Sequence, residues 1–266
     1  MKAFVLAEPG KVKWFDAPEP QLVPYGAILK PVAVTPCSSD VHTVFGGGSK
    51  KQDNLVLGHE CIAEVVSVGE NVCDFKTGDR VAVPAITPDW REKSIQEGND
   101  RHASAPFSGH QLGRTQPGVF SERFLIKDAD TTLAHIPQKI SEEQALMSVD
   151  VVTTGFTGAE YADIKIGDTV CVIGIGPIGL MAVAGAKLRG AARIIAVGTR
   201  PKCVQLAKYY GATDVLSYKE GDIVQQVKEL TNGIGVDATI IAGGTAEVLT
   251  QAYDMTRYGI GTISNI

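Results

Sequence analysis

The sequence predicts an α/β chain in two parts, a mostly-β unit followed by a doubly wound parallel sheet. Three observations carry this reading. Short alternating segments broken by Gly and Pro fill the chain to about residue 135. After Gly167-Asp168, apolar runs alternate with helical stretches. The first of those runs passes through Gly174-Ile175-Gly176-Pro177-Ile178-Gly179 into an Ala- and Leu-rich segment. A length of 266 residues fits two domains better than one, and the expected division is 1–150 and 151–266.

The chain opens as a strand, Lys2-Ala3-Phe4-Val5-Leu6. Strands are expected over 27–34 and 61–68, the second closed by Gly69-Glu70-Asn71. Gly78-Asp79-Arg80 then turns the chain into Val81-Ala82-Val83. Turn residues at this spacing mark an all-β unit. Residues 87–118 are irregular and polar, and a loop of that length generally serves a site or an interface.

In the second half, 169–173 is the near-continuous apolar run expected of a strand covered on both faces. A helix over 179–189 follows, then a strand at 193–197, a helix at 201–210 and a strand at 214–218. A helix at 223–230, a strand at 236–242, a helix at 246–255 and a strand at 261–266 complete the series. Five strands alternating with helices of this length make βαβ units and a parallel sheet.

Composition excludes some functions. A formal charge of −5 argues against a nucleic-acid partner, because phosphate binding needs a basic surface. Five cysteines, at 37, 61, 73, 171 and 203, are odd in number and irregularly spaced, which suits a reducing cytoplasm rather than a disulfide framework. With no signal-like start and no apolar run of spanning length, the expected protein is soluble and cytoplasmic, without a membrane partner.

Gly174-Ile175-Gly176-Pro177-Ile178-Gly179 is a GxGxxG motif in the context that gives it meaning, after a buried strand and opening a helix. The first Gly permits the tight turn, the second admits a pyrophosphate to the backbone, and the third lets helix and strand pack closely, as in the Rossmann fold. Unpaired N–H groups and the dipole at the helix N-terminus favour the anion. An NAD site generally has a carboxylate at the end of the second strand; here that strand ends Val197-Gly198-Thr199-Arg200. Gly198 leaves room, Thr199 can donate a hydrogen bond and Arg200 can pair with a 2′-phosphate, so NADP is the expected cofactor. Tyr218, ending the third strand, is placed to pack on the adenine side.

The first half offers metal ligands: Cys37, then Gly58-His59-Glu60 about twenty positions on. Pro36 and the cluster Ser38-Ser39-Asp40 read as the entry to a short helix, which places Ser39 and His42 on one face at i and i+3. A hydroxyl next to a reacting oxygen, with an imidazole behind it, makes a proton relay to solvent. Spacing alone does not single out a further carboxylate ligand; Asp130, Asp150 and Asp168 look equally good.

Gly58-His59-Glu60-x-x-Ala63-x5-Gly69-x-x-Val72, Gly78-Asp79-Arg80-Val81 and the later GxGxxG resemble the zinc-containing alcohol dehydrogenases of the medium-chain dehydrogenase/reductase superfamily. Thr35-Pro36-Cys37-x-Ser39-Asp40-Val41-His42, Val83-Pro84-Ala85-Ile86-Thr87-Pro88-Asp89-Trp90 and Ala184-Gly185-Ala186-Lys187-Leu188-Arg189 resemble its NADP-dependent secondary alcohol dehydrogenases. The resemblance implies a GroES-like catalytic domain ahead of the Rossmann domain. It implies one catalytic zinc on Cys37, His59 and Asp150, with Glu60 as a ligand that comes on and off. It further implies Ser39 and His42 as the proton path, and Thr154, Asn265 and Ile266 beside the nicotinamide. The implied reaction moves hydride between NADP(H) and small secondary alcohols, ketones or aldehydes, in a homotetramer lacking a second, four-cysteine zinc.

Some positions depart from that pattern. Ala63 stands where Gly is usual, and Gly46-Gly47-Gly48 replaces a more structured run. His110 stands at what resembles a Trp position walling the substrate pocket, which would also allow a polyol or amino-alcohol dehydrogenase. The family runs on beyond Ile266, so the expectation is a shortened nucleotide domain with Ile263 and Ile266 on an unpaired edge and Asn265 and Ile266 frayed. Such a piece would be either part of the enzyme or a non-catalytic nucleotide-binding fragment.

Overall fold

A computed structural model describes residues 1–46, 54–98 and 109–266, which form two compact units, Met1–Asp150 and Val151–Ile266. The strands of the first are β1 (Lys2–Glu8), β2 (Lys11–Asp16), β3 (Ala27–Thr35), β4 (Leu55–Val56), β5 (Glu60–Val68), β6 (Arg80–Val83), β7 (Phe124–Ile126) and β8 (Ala134–His135). Its helices are α1 (Ser38–Phe45), α2 (Lys93–Gln96), α3 (Ala129–Thr132) and α4 (Glu142–Ser148). Gly47 and Gly48 lie outside the described residues, as do 99–108 of the expected polar loop.

Two antiparallel sheets build this unit, ordered β2-β1-β4 and β7-β3-β5-β6-β8. The pairing of β3 with β5 matters most. Pro31 lacks the N–H a ladder needs, and the register shifts between Pro31 and Ala33, as a bulge resolves such a residue. Beyond the shift Thr35 stands opposite Glu60, so the residues just past the end of β3 meet those just before β5. Leu29, Cys61, Ala63, Val65, Val81 and Phe124 fill the core beneath. Ala63 is fully buried there, so its methyl is part of the packing.

The second unit contains α5 (Val151–Tyr161), β9 (Thr169–Ile173), α6 (Pro177–Leu188), β10 (Arg193–Val197) and α7 (Pro201–Tyr210). It continues with β11 (Asp214–Leu216), α8 (Ile223–Leu230), β12 (Ala238–Ile241), α9 (Val248–Met255) and β13 (Thr262–Asn265). The sheet is wholly parallel, ordered β11-β10-β9-β12-β13, so the strand order reverses between β9 and β12. One face packs Val170, Val172 and Ile240 against Val183 and its neighbours on α6, and the other packs Cys171, Ile173, Ile195 and Ile241 against α8 and α9. No helix among the described residues is long and apolar enough to cross a membrane.

The structure corrects three readings. The third strand stops at Leu216, because Ser217 and Tyr218 enter a turn in which the Lys219 amide donates to Ser217 Oγ. α5 was not foreseen: its Thr, Gly155 and Gly158 weaken helix propensity. A Cβ at Gly155 would come within 2.5 Å of Met181 Cβ on α6, and one at Gly158 within 2.5 Å of Ile266 Cδ1, so the two glycines serve close packing of α5 on α6 and on the end of the sheet. The end of β13 is not frayed. Asn265 pairs with Ile241, the Ile266 amide donates to the Ile241 carbonyl at 3.0 Å, and Ile263 and Ile266 both pack on cores, although β13 is the outermost strand.

Candidate active site

The register of β3 on β5 brings Cys37 and His59 together from opposite sides of a 22-residue separation. Cys37 is the N-cap of α1, and its amide donates to Asp40 Oδ2 at 2.8 Å. Gly58 holds a positive φ of 90°, and a Cβ there would strike the Phe120 ring at 2.4 Å. That bend ahead of β5 lets the consecutive side chains of His59 and Glu60 face one point.

Asp150 arrives from the end of α4. Ser141 caps that helix by accepting from the Gln144 amide, Leu146 and Val149 pack on Ile62, and the Ala85 amide donates to the Val149 carbonyl at 3.1 Å. The ligand atoms of Cys37, His59, Glu60 and Asp150 all lie within 4.8 Å of one another. His59 Nε2 is 3.8 Å from both Glu60 Oε1 and Asp150 Oδ2. The other carboxylates that spacing had left open serve turns: Asp130 accepts from the amides of Cys73 and Asp74, and Asp168 accepts from the Lys165 amide.

The donor set fits zinc. Bonds of ~2.0–2.3 Å to N, O and S in a tetrahedron separate the ligands by about 3.3–3.8 Å. Glu60 is only 2% exposed, yet its Oε2 has no hydrogen-bond partner, the condition of a carboxylate awaiting a cation. Burial, with the charges of Asp150 and Cys37, pushes its carboxyl up to about 8. Burial opposes ionisation of Cys37, but hydrogen bonds from His59 and Ser39 outweigh it and bring the thiol down to about 7. His59 is buried, which favours the neutral ring, but Asp40 and Cys37 draw its pKa up to about 10. Crowding three acidic ligand groups, Cys37, Glu60 and Asp150, around one buried imidazole is what makes Glu60 costly to ionise, and a divalent cation would relieve that cost.

Asp40 is a residue the sequence reading assigned only to a helix entry. It is buried, its Oδ1 stands 3.3 Å from His59 Nδ1, and it accepts from the Gly58 amide at 3.2 Å. Burial raises its carboxyl, but His59 and these N–H donors hold it below the usual carboxylate range. The signal available was the i+3 spacing from Cys37 that makes a capping box. Ser39 Oγ lies 3.3 Å from His59 Nε2, and His42 is exposed one turn further along α1. The His110 ring meets that of His59 edge-on at 4.5 Å between centroids.

In the second unit the glycine turn follows β9. Gly174 has φ of 89°, a Cβ at Gly179 would lie 1.8 Å from the Gly174 carbonyl oxygen, and a Cβ on Gly176 would meet only Arg200 Nη2, at 3.4 Å. Ile175 is buried, and Pro177 and Ile178 open α6, with Gly176 as its N-cap. The turn lies where the strand order reverses, the position at which doubly wound sheets bind ligands. Gly198 follows β10, and a Cβ there would collide with Ile175 Cγ1 at 2.3 Å, so the glycine is needed for packing as well as space. Thr199 Oγ1 donates to the Tyr218 hydroxyl at 3.0 Å, and Arg200 stands at the N-cap position of α7 without a side-chain capping bond. Thr154 lies on α5, Asn265 ends β13, and Ile266 follows it.

A β-rich unit with a Cys/His/carboxylate cluster, and a parallel sheet with a phosphate-binding turn, define a metal- and dinucleotide-dependent dehydrogenase. Residues 24–138 match the alcohol dehydrogenase GroES-like domain, and 177–266 match the zinc-binding dehydrogenase family. An NADP-dependent isopropanol dehydrogenase from Thermoanaerobacter brockii is 54% identical over 266 residues, covering 100% of this chain and 75% of that protein. One from Entamoeba histolytica is 47% identical, covering 99% and 73%. The apo form of zinc dependent alcohol dehydrogenase 2 from Streptococcus pneumonia superposes with a TM-score of 0.89 at 29% identity, over 100% and 75% of the two chains. The chain belongs to the zinc-binding alcohol dehydrogenases of the medium-chain dehydrogenase/reductase superfamily.

Proposed function

We propose that this protein is an NADP-dependent oxidoreductase that interconverts small secondary alcohols and ketones. The observation that carries the reading is the buried convergence of Cys37, His59, Glu60 and Asp150. The isopropanol dehydrogenases that match the whole chain support NADP and the substrate class. Cys37, His59 and Asp150 would hold a zinc ion, with Glu60 as the ligand that comes and goes. Zinc supplies Lewis acidity, which polarises a carbonyl oxygen or makes a hydroxyl more acidic. NADP(H) supplies the acceptor or donor of hydride.

The protein's own groups do the rest. Asp40 holds His59 through Nδ1, so that Nε2 faces the ligand cluster. Ser39 Oγ takes the proton of the substrate hydroxyl and hands it to His42, whose exposure opens the path to solvent. Gly174, Gly176 and Gly179 give the pyrophosphate access to backbone N–H groups at the start of α6. Arg200 and Thr199 take the 2′-phosphate, Tyr218 the adenine side, and Thr154, Asn265 and Ile266 the nicotinamide. In this reading Met1–Asp150 is the catalytic domain and Val151–Ile266 the NADP-binding domain.

The reading includes a cytoplasmic homotetramer without nucleic-acid or membrane partners. The charge of −5 and the five unpaired cysteines support the placement, and the resemblance supports the assembly. The test is oxidation of NADPH with acetone before and after exhaustive chelation. Activity is expected to vanish with the metal and return with added zinc; turnover indifferent to its removal overturns the proposal.

A further inference from the structure

His110 is the feature the mechanism leaves unused. Its Nε2 is buried and has no hydrogen-bond partner, one of few such side-chain atoms among the described residues. Buried polar groups are nearly always paired, and an unpaired one lowers stability. Packing does not require the nitrogen, because a phenyl ring would fill the same place against His59. The ring is also well placed: it lies 4.5 Å from the His59 ring, and the Thr87 amide, donating to the Gly109 carbonyl at 2.7 Å, anchors the residue before it.

We propose that His110 is a specificity-determining residue whose Nε2 hydrogen-bonds an oxygen on the carbon next to the reacting one. The protein then favours vicinal diols and their α-hydroxyketones over simple secondary alcohols and ketones. The inference rests on the dehydrogenase reading above. With the reacting oxygen at the cluster beside His59, in this proposal the adjoining carbon lies against the His110 ring, whose centroid is 4.5 Å from that of His59. A hydroxyl both donates and accepts, so it satisfies Nε2 in either imidazole tautomer. A methyl group at that point leaves the nitrogen unpaired, and sites built around a buried polar group reject such analogues.

The experiment compares kcat/KM for 2,3-butanediol and 2-butanol on the zinc-loaded protein with NADP⁺. The wild-type ratio is expected to exceed one and to fall about tenfold in His110→Phe, the loss of one hydrogen bond to a buried group. A wild-type ratio at or below one, or the same ratio in both proteins, overturns the inference. Nitrogen-15 NMR of the wild-type imidazoles gives a second readout that does not depend on the variant folding. One buried histidine Nε2 should shift with 2,3-butanediol and stay in place with 2-butanol; equal responses overturn the proposal. No turnover of either alcohol would instead sink the dehydrogenase reading and this inference with it.

Discussion

Asp40 Oδ1 stands 3.3 Å from Nδ1 of His59, which turns the other ring nitrogen toward Glu60 and Asp150. The two residues are 19 positions apart and meet because α1 begins immediately after β3, beside the start of β5. A carboxylate behind a ligating imidazole fixes its tautomer and strengthens its donation. Asp40→Asn keeps the shape but loses the charge, so zinc affinity should fall about 10–100-fold. Competition with a coloured chelator reads this directly, and unchanged affinity would assign Asp40 to the helix cap alone.

Gly179 has no room for a side chain. Its Cβ would lie 1.8 Å from the Gly174 carbonyl, which is backbone and unable to swing aside. Gly179→Ala should destabilise the Rossmann unit by about 1–3 kcal/mol and weaken NADPH binding. Thermal melting together with a fluorescence titration of NADPH tests both, and a wild-type melt would refute the steric argument.

Arg200 should discriminate between the cofactors. Losing a charge-assisted hydrogen bond to phosphate, about 1.5–3 kcal/mol, weakens NADPH about 10–100-fold in Arg200→Ala and leaves NADH nearly unaffected. Gly198→Asp is not a clean route to NAD, because Ile175 must move first. It should cost stability before it changes preference, which melting and paired Kd measurements would reveal.

Arg193 grips Asp214 through Nε and Nη2, at 2.8 and 2.9 Å, between adjacent strands. The hydrogen bond and charge of Arg193 hold the Asp214 carboxyl below its ordinary value. A depressed folded pKa means the stabilisation is complete above the unfolded value near 4 and is lost as pH falls through the folded one. Both side chains are partly exposed, so Asp214→Asn should cost only about 1 kcal/mol at pH 7. The gap in Tm between the two proteins should close in strong acid; a constant gap would rule out the ion pair as its source.

Much of this protein could be read one segment at a time. The buried run 169–173, the glycine turn after it and the alternation that follows are contiguous patterns, and local sterics and apolar periodicity give each a single meaning. Cys37, His59 and Glu60 stood out as ligand types, while Asp150 looked no better than Asp130 or Asp168. Which carboxylate meets the imidazole depends on the Val149 carbonyl bonding to Ala85 and on Leu146 and Val149 packing on Ile62, contacts between distant segments. Asp40 as a partner of His59, the unpaired Glu60 and His110 atoms, and a Gly155 that lets α5 pack on α6 share this dependence. Composition, periodicity and turn chemistry act over a few residues and are written in the chain. Burial and charge coupling arise only when β3 and β5 close their register, so folding alone revealed how the site is charged and which groups it leaves unpaired.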